Sequence, residues 1–265
     1  MSHFAQAQFS GNSFGAQRRQ DKALMDRYKD GRADGKQMRS YLGYEAGAFF
    51  SFAQRSFVAT APYTDENGIF QGEKTHTQKL KPWFLGFAVG TYIPLSNLSP
   101  KSSVALDFGV NVTMWKGKTG SFYLADSMRR AHYNSDFFLW QFGLPIMLDF
   151  KYGGEAIYDK GEAFSFTLGA GLQPAVSTGA VMRTDKLRGT ISPVIKAEIG
   201  FFALVQWKIK ATYLGQTGDV YRVSSGNVGM ESKPDGTTFR LTTTPAINLG
   251  ISFMPFSYDW DSSRW

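Results

Sequence analysis

Cysteine is absent from the 265 residues, which excludes disulfides, thiolate metal sites and cysteine nucleophiles. Histidine is nearly absent as well, with only His3, His76 and His132 present, and there is neither an HExxH pair nor a phosphate-cradling glycine loop leading into a helix. No metal site and no cofactor is expected from such a chain. Nor does any stretch approach the ~18 consecutive apolar residues of a membrane helix, so a bilayer crossing would have to be made with strands. Basic runs are missing too: the net charge of +7 is spread along the chain, and nucleic acid is not an expected partner. The mean hydropathy of −0.25 decides nothing, because a barrel's inner face and loops dilute the average.

What the sequence does have is glycine, phenylalanine and alternation. The 28 glycines and 23 phenylalanines suit strands and turns better than helices. The clearest stretch is Asp136 to Tyr152, where Phe138, Trp140, Phe142, Leu144, Ile146 and Leu148 occupy one face and Gln141, Gly143, Met147, Asp149 and Lys151 the other. Successive strand side chains point to opposite faces, so this strand separates two unlike environments.

The same pattern recurs along the chain. Leu42 to Phe52, Trp83 to Leu95, Val104 to Met114 and Phe164 to Leu172 each set an apolar row against small or polar residues. Ile191 to Tyr213 keeps its odd positions apolar for longer than one strand should run, which places a parity-preserving turn near Gly200 to Phe202. A last strand is expected over Phe239 to Phe253. The fold class is therefore all-β: a closed antiparallel transmembrane barrel of about eight strands in an up-and-down meander.

The connections alternate in length. Gln54 to Pro82, Lys116 to Ser135, Ser177 to Thr190 and Gly215 to Thr238 are long, whereas Ser96 to Lys101, Gly153 to Gly161 and the turn near Gly200 are short. Outer-membrane barrels have short periplasmic turns and longer outer loops, which orients the chain and puts both termini in the periplasm. Three regions follow: an N-terminal periplasmic tail over 1–40, the barrel over 41–256 and a C-terminal tail over 257–265. Ala5-Gln6-Ala7 has the form of a signal-peptidase site, so an export signal ahead of it is one reading and an ordinary polar leader the other.

A soluble ligand-binding barrel would turn the same apolar rows inward. Volume argues against it, since an eight-stranded interior has no room for roughly forty to fifty large apolar groups. The face of Gly, Ala, Ser and Thr is the one that fits inside. Phe138, Trp140, Phe142, Leu144, Ile146 and Leu148 then face lipid, and Tyr41, Trp83, Trp115, Trp207, Tyr213 and Tyr258 are placed to form interfacial girdles. Lumen parity also collects Glu45, Asp107, Asp149, Lys151, Lys196, Glu198, Lys208 and Lys210, mostly toward the short-turn end. Opposite charges buried together can satisfy one another, so a salt-bridged plug is expected, with a narrow polar conduit as the alternative.

The alternating strands, the alternating connection lengths, Ala5-Gln6-Ala7 and the terminal strand INLGISFMPF resemble the small outer-membrane β-barrel proteins of Gram-negative bacteria, including the Bacteroidota barrels grouped with the OmpA, OmpX and PorT types. The resemblance covers about Tyr41 to Phe256; Ser257 to Trp265 runs past the expected final aromatic. It implies an outer-membrane location and a non-enzymatic structural or partner subunit of an envelope assembly. A small pore or secretion-complex component is one alternative. An outer-leaflet lipid-modifying enzyme is another, for which Asp126, Ser127, His132 and Asp136 share one long connection without a spacing that fixes a triad. The expected partners are outer-membrane lipid and an envelope protein complex. Lipopolysaccharide phosphates would be met by Lys116, Lys118, Arg129, Arg130, Arg183, Lys186 and Arg188.

Overall fold

The computed structural model describes residues 43–257 apart from 66, 68, 82, 100, 126–129, 158–162, 182–183, 186 and 225–236. The tails at 1–40 and 258–265, with Tyr41 and Tyr258, lie outside the described residues. The strands are β1 (Glu45–Phe52), β2 (Arg55–Thr64), β3 (Phe70–Lys79), β4 (Trp83–Ser99), β5 (Ser102–Ala125), β6 (Arg130–Gly143), β7 (Ile146–Gly153), β8 (Phe164–Val181), β9 (Thr184–Asp185), β10 (Arg188–Ala203), β11 (Val205–Leu214), β12 (Gly218–Ser224), β13 (Thr238–Thr243) and β14 (Ala246–Met254). A single helical turn, Gly154–Ile157, follows β7.

Eight wall strands close into an antiparallel ring, because β1 pairs with both β4 and β14 while β5, β6/β7, β8, β10 and β11 complete the circuit. β6 and β7 are two halves of one wall strand. β5 pairs with both, through Asn111↔Gly143 and Phe108↔Ile146. Between them stands Pro145, which has no N–H to give to a ladder. The break is held by Leu144 N donating to Pro174 O at 2.8 Å and Gly109 N donating to Pro145 O at 3.3 Å. Closure matters because it pairs the backbone of the ring without leaving an open sheet edge in the wall.

The period of two decides what each surface carries. In β7 and the residues before it, Leu144, Ile146 and Leu148 are 50%, 50% and 56% exposed on the outside, whereas Asp149 and Lys151 are 0% exposed within. Neighbouring strands keep that parity, with Phe50 opposite both Leu85 and Leu249. The outer wall is thus a continuous apolar band. Aromatic pairs sit on it, among them Phe138 with Trp140 at 5.2 Å and Trp207 with Phe253 at 5.6 Å between ring centroids.

The tight turn of the long odd-parity stretch falls at Leu204, between Ala203 and Val205, rather than near Gly200 to Phe202. Leu204 takes φ 66°, a single left-handed residue, and the pairing Phe201↔Trp207 leaves the outward parity unchanged. The expected last strand is likewise two: β13 and β14 are separated at Thr244-Pro245, where proline again interrupts the ladder.

The long connections are not simple loops. Four wall strands continue beyond the ring after short breaks: β1 as β2, β4 as β3, β11 as β12 and β14 as β13. These extensions form a separate four-stranded sheet in the order β12-β13-β2-β3. Backbone bonds hold the breaks, with Thr244 N donating to Gln54 O at 3.0 Å and Leu80 N to Arg55 O at 2.9 Å. The inner face of this sheet supplies Phe57, Ala59, Ala61, Val220, Tyr221, Phe239 and Leu241 to an apolar cluster. The opposite side of that cluster is Phe84, Trp115, Phe137 and Leu139 from β4, β5 and β6. Burial of each large side chain is worth roughly 1.5–3 kcal/mol, enough to fold the sheet over the ring's mouth. Trp115 therefore does not serve an interfacial girdle: it is 1% exposed, because it has lumen parity one residue past the outward-facing Met114.

Candidate functional site

The lumen is filled in three layers. At the short-turn end lies a charge network that includes all eight of the acids and bases with lumen parity. Lys208 Nζ reaches Glu45 Oε2 at 2.9 Å, Glu155 Oε1 at 2.5 Å and Glu198 Oε2 at 3.5 Å. Lys196 Nζ contacts Asp107, lies 2.8 Å from Asp149 Oδ2 and 3.2 Å from Glu198 Oε1. Lys210 bridges Glu45 and Glu198, the latter at 3.0 Å. Lys151 lies 2.5 Å from Glu155 Oε1 and 3.6 Å from Asp149 Oδ2. Each ammonium has at least two carboxylates, which is how four lysines can be kept from water: mutual attraction in a low-dielectric interior offsets desolvation only when partners are close and several.

Two members of this layer escape a parity argument or nearly so. Glu155 sits in the helical turn after β7, where an alternation of two no longer defines a face, and nothing in the sequence marks it. It is 0% exposed and holds both Lys151 and Lys208. Tyr92 is an aromatic on the lumen row of β4, separated from Phe84 at the other end by Gly86, Ala88 and Gly90. Its hydroxyl donates to Glu155 O at 2.9 Å, and its ring lies 3.8 Å from Lys151 Nζ. A large side chain after three small ones, Gly86, Ala88 and Gly90, was the available signal.

Glycine makes the room. Asp149 pairs with Gly169 across β7 and β8, and Gly86 lies beneath the inward ring of Phe49, where a Cβ would come within 2.3 Å of Phe49 Cζ.

Above the charges is a belt of amides. Asn111 Nδ2 donates to Gln173 Oε1 at 3.1 Å, Gln141 Nε2 to Gln216 Oε1 at 3.0 Å, and Gln216 Nε2 to Thr190 Oγ1 at 3.3 Å. Above the belt the apolar cluster closes the mouth. The spaces left in the lumen are small: about 70 Å³ beside Glu45, Asp107, Lys196 and Lys210, and about 20 Å³ in the amide belt. The first suits a few waters and the second one small occupant.

The basic residues expected to meet phosphate do not gather into one described patch. Lys116 is exposed on β5, and Arg188 at the start of β10 lies 3.8 Å from Asp219. Lys118 stands opposite Asp136 and Arg130 opposite Ala125 in the β5–β6 ladder, while Arg129, Arg183 and Lys186 are outside the described residues. Of the catalytic candidates, Asp126 and Ser127 are also outside them, and His132 stands opposite Tyr123 on the same ladder. His76 lies on β3 opposite Ala59, within the second sheet rather than a loop.

No protein-family model and no curated protein matches the sequence. Among solved structures the chain is similar to Ail, the attachment invasion locus protein of Yersinia pestis, in complex with the heparin analogue sucrose octasulfate, at 11% identity over 80% of this chain and 99% of that one, with a TM-score of 0.31. It is similar to Neisserial surface protein A at 12% identity over 78% and 99% of the two chains, with a TM-score of 0.31. It is also similar to the outer membrane protease OmpT of Escherichia coli at 7% identity over 80% and 96%, with a TM-score of 0.33.

Proposed function

We propose that this chain is a sealed β-barrel of the Gram-negative outer membrane that acts without catalysis, as a structural or partner subunit of an envelope assembly. The observation that carries the reading is the contrast across one wall: an apolar exterior encloses a lumen packed with ions, amides and then apolar side chains. A bilayer is the environment that covers such an exterior without cost, and a closed ring is one of the two backbone arrangements that can cross it. The filled lumen supports a plug over a conduit. Its second sheet and long connections then face the cell exterior, where a partner would be met. Lys116 and Arg188, the two of the basic residues whose side chains are described, supply charge at that end for lipopolysaccharide phosphates.

Planar-bilayer recording of the purified protein tests the reading. Silence is expected from the wild type, with leak appearing when lumen charges are removed. Steady, ion-selective single-channel steps from the wild type would replace the plug by a pore. Recovery of the protein as a soluble monomer, rather than with outer membranes, would remove the membrane assignment itself.

A further inference from the structure

Arg55 begins β2 just beyond the end of β1, and its side chain lies at the junction between the apolar cap and the amide belt. It is 3% exposed. Its guanidinium carbon lies 4.1 Å from the ring centroids of both Phe84 and Trp115. Of its three nitrogens, only Nη2 has an acceptor, Ser51 Oγ at 3.3 Å, while Nε and Nη1 have none. Among the described residues no carboxylate forms an ion pair with it. The contrast with the layer below is sharp, since each buried lysine there has two or more carboxylates.

Contact with the faces of two adjoining rings, whose centroids are 5.8 Å apart, offsets part of the desolvation of a guanidinium. It does not satisfy N–H donors in the guanidinium plane, and a buried charge without a counter-charge remains costly. The space beside Arg55 is the void of about 20 Å³, whose lining is amide, hydroxyl and apolar with no acid in it. Gln141, Gln173 and Asn248 each bring a carboxamide to that wall, and an amide group carries two N–H donors. Asn248 Oδ1 on the same wall has no hydrogen-bond partner either, so what selects an anion over water is the uncompensated positive charge and not the carboxamides. The volume sets its size, because a space just above that needed for one water has no room for phosphate or an organic acid.

We propose that Arg55, with Ser51 and the carboxamides of the amide belt, forms a buried binding site for one monatomic anion of the halide class. The anion completes the guanidinium's coordination where the two rings cannot, and it ties β2 to the ring wall beneath the second sheet. The site stands independently of whether the barrel conducts and of what the outer sheet meets.

Bromide is the probe, and Trp115 is the reporter because it contacts Arg55 directly. The full chain, folded from urea into detergent micelles so that the sealed site can equilibrate, is titrated with bromide at constant ionic strength while tryptophan fluorescence is followed. The expected result is a saturable quenching component that chloride competes away and that is lost in both Arg55→Gln and Trp115→Phe. The linear, collisional quenching of exposed tryptophans should be the same in all three proteins. Strictly linear quenching that superimposes for wild type and Arg55→Gln would overturn the site. Should Arg55→Gln fail to give a folded, heat-modifiable band, crystals of the wild type grown in bromide decide: an anomalous peak at hydrogen-bonding distance from Nη1 or Nε supports the site, and an empty or water-filled void removes it.

Discussion

Asp149 stands directly opposite Gly169 in the β7–β8 ladder, and a Cβ added to Gly169 would lie 2.1 Å from Asp149 Oδ1. The same Cβ would lie 3.0 Å from Lys196 Cε. The glycine is therefore the space into which the Asp149–Lys196 ion pair, 2.8 Å long, is packed.

Gly169→Ala is expected to destabilise the barrel by about 1–3 kcal/mol, the usual cost of overpacking a filled interior. Gly189→Ala is the matched control, since a Cβ there meets nothing within 4 Å. Urea unfolding in detergent compares them, and equal midpoints for the two variants would show that the Asp149 carboxylate moves freely and the packing is loose.

Glu155 is the keystone of two lysines, so its removal should cost more than its own contacts suggest. Glu155→Ala leaves Lys151 and Lys208 each short of a carboxylate at 2.5 Å. A loss of ~3–5 kcal/mol is expected for breaking one side of a buried ion pair, less where water enters. Adding Lys151→Met should recover part of that loss. Unfolding free energies of the single and double variants form the cycle, and strict additivity would mean that the two groups do not interact.

Ile146 tests the outside of the wall. Ile146→Arg should lower stability in lipid vesicles by about 2–4 kcal/mol if the residue faces the middle of the bilayer. In contrast, a neutral effect on folding into vesicles would show that the exposed apolar band is covered by something other than lipid.

Phe57 tests whether the second sheet is an independent cap. It is fully buried and stacks on Phe239 at 6.0 Å between centroids. Phe57→Ala should cost the apolar cluster about 3–5 kcal/mol. The barrel's heat-modifiable gel mobility is expected to persist while protease added to intact cells cuts within β2 and β3 much faster. Loss of the barrel band together with the cap would show that ring and sheet fold as one unit.

Much of the ring was legible because alternation is local. A period of two places Leu144, Ile146 and Leu148 on one side and Asp149 and Lys151 on the other whatever the partner strand, and the same parity assigns Glu45, Asp107, Lys196, Glu198, Lys208 and Lys210 to the lumen. The pairing of those charges, by contrast, joins residues as far apart as Glu45 and Lys208, and only ring closure sets which ammonium meets which carboxylate. Glu155 was illegible because it follows the strand into a helical turn, where parity lapses.

The second sheet was hidden for a different reason. β12 and β13 are short, β3 is polar at most positions, and β2, β3 and β12 fall within stretches that read as connections, while β13 reads only as the start of the last strand. They become strands because β13 finds β2, with Phe239 beside Ala59, across most of the chain's length. That contact exists only once β14 and β1 have closed the ring and brought the two extensions side by side. The sequence by itself determined which side chains share a face, since strand geometry fixes the alternation, and the volume of an eight-stranded interior made the apolar face the outer one. The tertiary structure alone decided that the mouth is capped and that Arg55 rests on two adjoining rings without a carboxylate, because those depend on neighbours that only closure of the ring supplies.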